Sequence, residues 1–461
     1  MNGISVSYDN SNECASLMTL DQQLAELSIG SKETPMCTSK MSNGDESVKP
    51  TVKKKKKKVK NGLSSKGEKG LIVDCHCFFY QQTDNSTTTT TIKKKKKKKK
   101  RPDEPLDNRA IVDLDPNESF IKIRFRKYGI EDFRLITLLG TGGFGMVFLS
   151  KLINHNAYFA IKFTEKCQII KNNDYQSVLM ERKVMMYGNN NPFICKLFCS
   201  FQTINHLCFV MEFCCGGDLK FHLDKEKRFP IPKVRFYLAE MISAIQYLHK
   251  LGFIYRDLKL DNIMLGANGH IKLVDFGMCL GKIYREEMQP SDFCGTIEYM
   301  APEVVKSQRY NQSVDYWSLG VVAFEMSVGT YPFTGTDDDE ICWFICNQNV
   351  TCPAFIVREL QSLISQLLVK SAEERLGMPN SPYGKLTNHT FFADLDWNIV
   401  EQGQLCPPFI PNTKSALDTS HFEETFTTAT KLTIDLVSCQ TDHPDNDRFA
   451  DFVYTNPNMT D

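Results

Sequence analysis

The segment Tyr255-Arg-Asp-Leu-Lys-Leu-Asp-Asn262 places a carboxylate (Asp257), an ammonium (Lys259) and an amide (Asn262) within six residues. These groups match the needs of phosphoryl transfer: a base for a hydroxyl proton, a cation on the moving phosphoryl group and an amide oxygen for a magnesium ion. Short apolar runs flank the segment, Phe253-Ile254 before it and Ile263-Met264-Leu265 after it, so it would sit as a loop between two strands. A plain polar turn has the same local composition, and the loop must be read with the elements that would position it.

Those elements begin at Phe133. Alternating apolar residues at Leu135–Leu139 lead into Gly140-Thr-Gly-Gly-Phe-Gly-Met-Val147 and then Phe148-Leu149, the pattern of a strand, a glycine turn and a second strand. Gly140, Gly142, Gly143 and Gly145 let backbone N–H groups approach a polyphosphate without side-chain obstruction. A dinucleotide-binding turn shares the glycine spacing, but a helix should open directly after its last glycine. Here Val147-Phe-Leu149 continues as strand.

The apolar strand Tyr158-Phe-Ala-Ile-Lys-Phe163 carries one lysine. A charge so placed needs an anion, and Glu181, on the helical stretch Ser177 to Tyr187, is the expected partner of Lys162. Leu207-Cys-Phe-Val-Met-Glu-Phe213 reads as a further strand and Gly216-Gly217-Asp218 as a connector between two lobes. Apolar spacing then predicts helices from Val234 to Leu251, Val314 to Val328 and Val357 to Leu368.

The 461-residue chain is 42% hydrophobic, enough for a packed core in two to three domains. Its formal net charge of zero averages a lysine-rich first quarter against acidic residues spread through the rest. The 17 cysteines include no Cys-x-x-Cys pair, which argues against a disulfide framework or zinc ribbon and for reduced intracellular thiols. No run of about 18 apolar residues is present, and no basic flank leads into an apolar core at the N-terminus, so neither a membrane span nor a signal peptide is expected.

Residues 1–127 read as a disordered region, with homopolymer runs at Lys53–Lys58, Thr87–Thr91 and Lys93–Lys100. The apolar island Leu71–Tyr80 contains Cys75, His76 and Cys77, too close together to close a tetrahedral metal site. The lysine tracts suit anionic lipid, nucleic acid or nuclear entry, or else form a solvated tail with no dedicated partner. No aromatic residues interleave with them, which disfavours a stacking platform for single strands.

The glycine hairpin, Ala160-Ile-Lys162, Tyr255-Arg-Asp257, Asp275-Phe-Gly277 and Ala301-Pro-Glu303 stand in the order and spacing of a eukaryotic protein kinase. The resemblance covers residues 128 to 457. Tyr255, Gly216-Gly-Asp-Leu219, Asp275-Phe-Gly-Met-Cys279, Phe293-Cys-Gly-Thr296 and the long C-terminal tail resemble the AGC group. The catalytic part is most similar to protein kinase C of the novel type, without its lipid-binding regulatory modules. The implied fold is α+β and bilobal. A small antiparallel β lobe with one main helix would span 128–213, a large mainly helical lobe 214–392 and an AGC-type tail 393–461.

Residue by residue, the resemblance implies ATP and Mg²⁺ as cofactors. Lys162, held by Glu181, would grip the α- and β-phosphates. Asp257 would take the substrate proton, Lys259 would neutralise the γ-phosphoryl group, and Asn262 and Asp275 would hold magnesium. The adenine would lie between Val147 and Ala160 above and Met264 below, against the Glu212–Cys214 backbone, with Met211 as gatekeeper. Asp218, Asp261 and Glu325 match the acidic positions that read basic residues near a target serine or threonine; a solvated acidic face is the alternative. Glu303 with Arg375, and Asp315 behind the catalytic loop, would be architectural.

In the tail, Thr433 falls in a turn-like motif, and Phe449, Phe452 and Tyr454 would dock on the small lobe. Two positions depart from the family: Asp292 stands where a phosphorylated threonine commonly faces the loop arginine, here Arg256, and Val453 stands where a phosphorylated serine or threonine is common. The expected function is transfer of the γ-phosphoryl group of ATP to serine or threonine of proteins in basic contexts, by an intracellular, cytoplasmic monomer with nuclear or membrane-surface association open. A catalytically silent scaffold acting through the polybasic region is the alternative.

Overall fold

The computed structural model describes residues 111–113, 122–124, 126–142, 145–281, 293–415, 417–428 and 447–457. The expectations for the lysine tracts, the Leu71–Tyr80 island, Gly143, Asp292 and Thr433 lie outside these residues.

Two short strands, β1 (Ile111–Asp113) and β2 (Lys122–Arg124), pair antiparallel. The alternation from Phe133 onward becomes β3 (Phe133–Gly142), β4 (Gly145–Leu152) and β5 (Tyr158–Glu165). β6 (Leu197–Gln202) and β7 (His206–Glu212) extend the same antiparallel sheet, with β5 pairing to β7. β6 is buried at five of its six positions, so it carries little of the polar alternation that marks a half-exposed strand. The aromatic side chains of Phe133, Phe159, Phe198 and Phe201 pack into one apolar cluster on this sheet.

The small-lobe helix Tyr175–Gly188 is slightly longer than the periodicity predicted and buries Val178, Glu181, Val184 and Met185. Glu181 thus sits on the buried stripe of its helix, where an ionised carboxylate requires a partner.

Below the sheet, helices dominate: Leu219–Glu226, Ile231–Lys250, Ser313–Val328, Asp338–Asn347 and Arg358–Leu367. In the last of these Leu360, Leu363, Ile364 and Leu367 are buried, the three- and four-residue spacing of an amphipathic helix. Ser313–Val328 is buried along almost its whole length and forms the centre of the lobe, with Trp317 stacked on Phe333. Four short strands frame the loops between: β8 (Phe253–Ile254) with β11 (Leu280–Gly281), and β9 (Ile263–Leu265) with β10 (Ile271–Leu273). The tail returns to the small lobe as β12 (Tyr454–Thr455), which pairs with β6 at the edge of the six-stranded sheet. The chain therefore has the α+β, two-lobed architecture that the resemblance implied. No helix among the described residues is long and apolar enough to cross a membrane.

Candidate active site

The segment from Tyr255 to Asn262 follows β8 and precedes β9. Its conformation is fixed from behind by Asp315, which is wholly buried near the start of Ser313–Val328. Asp315 accepts the backbone N–H groups of Tyr255 at 2.9 Å and Arg256 at 2.8 Å, and lies 2.7 Å from His249 Nε2. Arg256 adopts φ +69°, a conformation that a non-glycine residue holds only when its surroundings impose it. On the front of the loop, Asn262 Nδ2 donates to Asp257 Oδ2 at 2.7 Å and to the Asp257 carbonyl at 2.9 Å. Lys259 Nζ lies 3.0 Å from Asp257 Oδ2 and donates to Thr296 Oγ1 at 3.0 Å, while Thr296 Oγ1 is 3.4 Å from Asp257 Oδ1. A carboxylate, a cation and a hydroxyl group thus converge on one point. In the sequence Thr296 stands out only as part of the Phe293-Cys-Gly-Thr296 motif.

The second cluster joins the lobes. Lys162 on β5 donates to Glu181 Oε1 at 2.7 Å and to Asp275 Oδ1 at 3.0 Å. Burial alone would lower the lysine pKa, but the two carboxylates hold it charged, above the usual lysine range. Burial likewise opposes ionisation of Asp275, yet Lys162 holds its carboxyl below the usual range. Asp275 also has positive φ, +53°. Asn262 spends its amide hydrogens on Asp257, so what it offers a ligand is its oxygen. Asn262 and ionised Asp275 are then two hard oxygen donors, a set that fits a magnesium ion keeping water and phosphate ligands.

In the small lobe Leu139, Leu149 and Ala160 form a small apolar cluster, with Val147, Tyr158, Phe213 and Phe422 packed against it. Gly145 has φ +126°, and a Cβ there would stand 1.9 Å from the Phe163 carbonyl oxygen. At Gly140 and Gly142 a Cβ would meet nothing within 4 Å, so a side chain there would project into open space. Met211 and Glu212 end β7, followed by buried Cys214. Glu212 is braced by Lys272 Nζ at 2.9 Å and by the Lys196 N–H at 2.7 Å. Met264 lies on β9 opposite Lys272. Phe422, from the tail, stacks on Phe213 with ring centroids 5.7 Å apart; a contact across two hundred residues leaves no local signal.

The three acidic positions differ. Asp218 caps Leu219–Glu226, accepting the Phe221 N–H at 2.7 Å, and burial pushes its carboxyl up to about 6. Asp261 is exposed. Glu325 is 1% exposed, and both its oxygens are engaged: Oε1 by Lys220 Nζ at 3.3 Å and Oε2 by the Tyr299 hydroxyl at 2.5 Å.

Arg256 donates to the Met278 carbonyl at 2.6 Å and to the Tyr310 hydroxyl at 2.8 Å, neither of which the sequence suggested. The Glu303–Arg375 pair is bidentate, at 2.7 and 3.0 Å, with Arg375 completely buried. In the tail, Phe449 and Phe452 are buried and Tyr454 pairs with Ser200. Phe452 meets Phe209 edge-on at 4.9 Å, Phe449 meets Tyr175 at 5.5 Å, and Arg182 donates to the Asp451 carbonyl. Tyr175 and Arg182 lie on the helix that carries Glu181.

Residues 133–392, more than half of the chain, match the family profile described as protein kinase domain. The chain is 44% identical over 341 residues to a putative protein kinase C delta type homolog of Drosophila melanogaster, covering 73% of this chain and 50% of that protein. It is 42% identical over 337 residues to protein kinase C-like 1 of Caenorhabditis elegans, with 73% and 48% covered, and 39% identical over 331 residues to human protein kinase C delta type, with 72% and 48% covered. The chain spans about half the length of these curated relatives.

Proposed function

Because the chain belongs to the protein kinase family, we propose that it transfers the γ-phosphoryl group of ATP to serine or threonine hydroxyls of protein substrates, favouring basic sequence contexts. The observation that carries this reading is the convergence of Asp257, Lys259 and Thr296 beside the Lys162–Glu181–Asp275 cluster.

In this reading Asp257 orients the substrate hydroxyl and accepts its proton, and its hydrogen bonds from Asn262 keep the carboxylate aimed. Lys259 supplies positive charge where the transferring group spreads its own over three oxygens, and Lys162 does so for the phosphates behind it. A magnesium ion between Asn262 and Asp275 would add Lewis-acid neutralisation of phosphate charge. Gly140, Gly142, Gly143 and Gly145 cover the phosphates; Val147, Ala160, Met264 and the Met211–Cys214 segment hold the base. Asp218, Asp261 and Glu325 attract basic side chains of the substrate. Asp292 supplies Arg256 with a fixed negative charge, weaker than a phosphate. Phe449, Phe452 and Tyr454 hold the tail on the small lobe, with Thr433 as a modification point. The domain limits expected above, a monomeric state, an intracellular location and salt-sensitive binding of the lysine tracts to anionic lipid or nucleic acid complete the proposal.

The test is transfer of labelled phosphate from ATP to a basic serine peptide by the purified full chain with magnesium present, against Asp257→Asn. Turnover far above that variant is expected. Equal, background turnover by both would favour the silent scaffold.

A further inference from the structure

Lys220 is a residue that no sequence pattern marked. It lies in the first turn of Leu219–Glu226, two residues after Asp218. Its Nζ sits 3.3 Å from Glu325 Oε1 and 3.1 Å from Asp224 Oδ1. Glu325 has no further oxygen to offer, since Tyr299 donates to Oε2, and its side chain is almost wholly buried. Of the three carboxylates proposed to attract basic substrate residues, the deepest is therefore already paired within the chain.

We propose that Lys220 sets substrate selectivity by occupying Glu325 in place of a substrate cation. An incoming arginine or lysine side chain must compete with the Lys220 ammonium for Glu325, whose two oxygens are already engaged and almost wholly buried. Lys220 has somewhere to go, because Asp224 is largely exposed and already within ion-pair distance. The exchange trades the half-buried Lys220 ammonium for a substrate cation on the same carboxylate, so most of the attraction between the substrate and Glu325 is cancelled. Arginine recognition then rests on Asp218 and Asp261, and this chain tolerates a neutral residue at the substrate position that faces Glu325.

The inference rests on the proposed kinase reading but has its own readout. A peptide set carries one serine in a neutral background, with a single arginine moved along it one residue at a time. Binding of each peptide to the full chain is measured by fluorescence anisotropy, and kcat/KM by phosphate transfer, for the unaltered chain, Lys220→Met and Lys220→Arg. Methionine keeps the length and helix propensity of the lysine stem without its charge. At one arginine position, Lys220→Met should raise the arginine-to-alanine affinity ratio about fivefold to tenfold, the scale of one partly buried charge pair. Lys220→Arg should leave that ratio near the unaltered value. If no position responds to Lys220→Met by more than about twofold, the range of an exposed pair, Lys220 is not a selectivity determinant. Absence of phosphate transfer with every peptide would overturn the kinase reading, while the binding ratios would still decide the role of Lys220.

Discussion

Asp315 Oδ1 accepts the backbone N–H of Arg256 at 2.8 Å, and this bond restrains a residue whose φ is +69°. Asp315 Oδ2 accepts from Tyr255 and faces His249, so one carboxylate serves three groups. An asparagine retains a single acceptor oxygen and brings hydrogens toward donors. Asp315→Asn should therefore lose about 2–3 kcal/mol of stability and at least about tenfold in kcat, equivalent to ~1.4 kcal/mol of barrier, as the strained turn relaxes and Asp257 loses its aim. Thermal melting and steady-state kinetics check both, and an unchanged kcat would show that the tether does not govern the loop.

The glycine turn separates two roles that look identical in sequence. At Gly145 any side chain collides with the Phe163 carbonyl, so Gly145→Ala should disturb the β4–β5 pairing and destabilise the protein by about 1–3 kcal/mol, the scale of an imposed backbone strain. Gly140→Ala and Gly142→Ala place a methyl group in open space. These variants should melt like the unaltered chain and instead weaken ATP binding, raising its KM. Matching melting curves for all three would refute the distinction.

Much of this architecture was legible in the sequence because its signals are local. The glycine hairpin, the strand carrying Lys162 and the helix Ser313–Val328 each follow from spacing within about fifteen residues, and Asp257, Lys259 and Asn262 are near neighbours. Pairings set by tertiary packing were not. Thr296 reaches Asp257 across 39 residues and Lys220 reaches Glu325 across 105. Nothing in the run Leu197–Gln202 announces a strand whose residues are nearly all buried. The sequence pattern marks Asp218 as a substrate contact, yet the same side chain caps a helix, a second use that only the backbone geometry reveals. The long-range pairs Lys162–Glu181 and Glu303–Arg375 were anticipated because a buried charge demands a partner and the family pattern supplied one.

Asp218 also gives a pH dependence of definite sign. Burial is the main cause of its raised pKa, and nearby Asp261 and Asp224 reinforce it, while the Phe221 N–H opposes it. The carboxyl is ionised above about 6 and neutral below. Discrimination for arginine-containing over neutral peptides should therefore weaken as pH falls from 7.5 to 5.5. Asp218→Asn should flatten that profile. For stability the sign is reversed. A pKa raised in the folded state favours folding below the unfolded value and loses that contribution as pH rises through about 6, so Asp218→Asn, still a competent cap, should melt higher than the unaltered chain at pH 7.5.

Asp292, proposed to give Arg256 a permanent anion, yields a test that needs no upstream kinase. Unphosphorylated full chain should be active, and Asp292→Ala should lower kcat severalfold, with partial recovery in Asp292→Glu. Equal rates for the unaltered chain and Asp292→Ala would remove the fixed-charge idea and leave Tyr310 and the Met278 carbonyl as the anchors of Arg256.

The tail contacts bear on catalysis through one helix. Phe449 lies against Tyr175, and Arg182 binds the Asp451 carbonyl, both on the helix that presents Glu181 to Lys162. Phe452 is tied instead to β6 and β7, by the Phe209 ring and by Ser200 Oγ donating to its carbonyl at 2.5 Å. Each truncation to alanine should cost about 3–5 kcal/mol of docking, but they should differ in consequence. Phe449→Ala should raise hydrogen exchange across Tyr175–Gly188 and lower kcat together, because a looser helix leaves Lys162 with a less constant partner. Phe452→Ala should expose β6 first. If Phe449→Ala frees the tail without altering exchange in that helix, the tail is an attachment to the lobe rather than a support for Glu181.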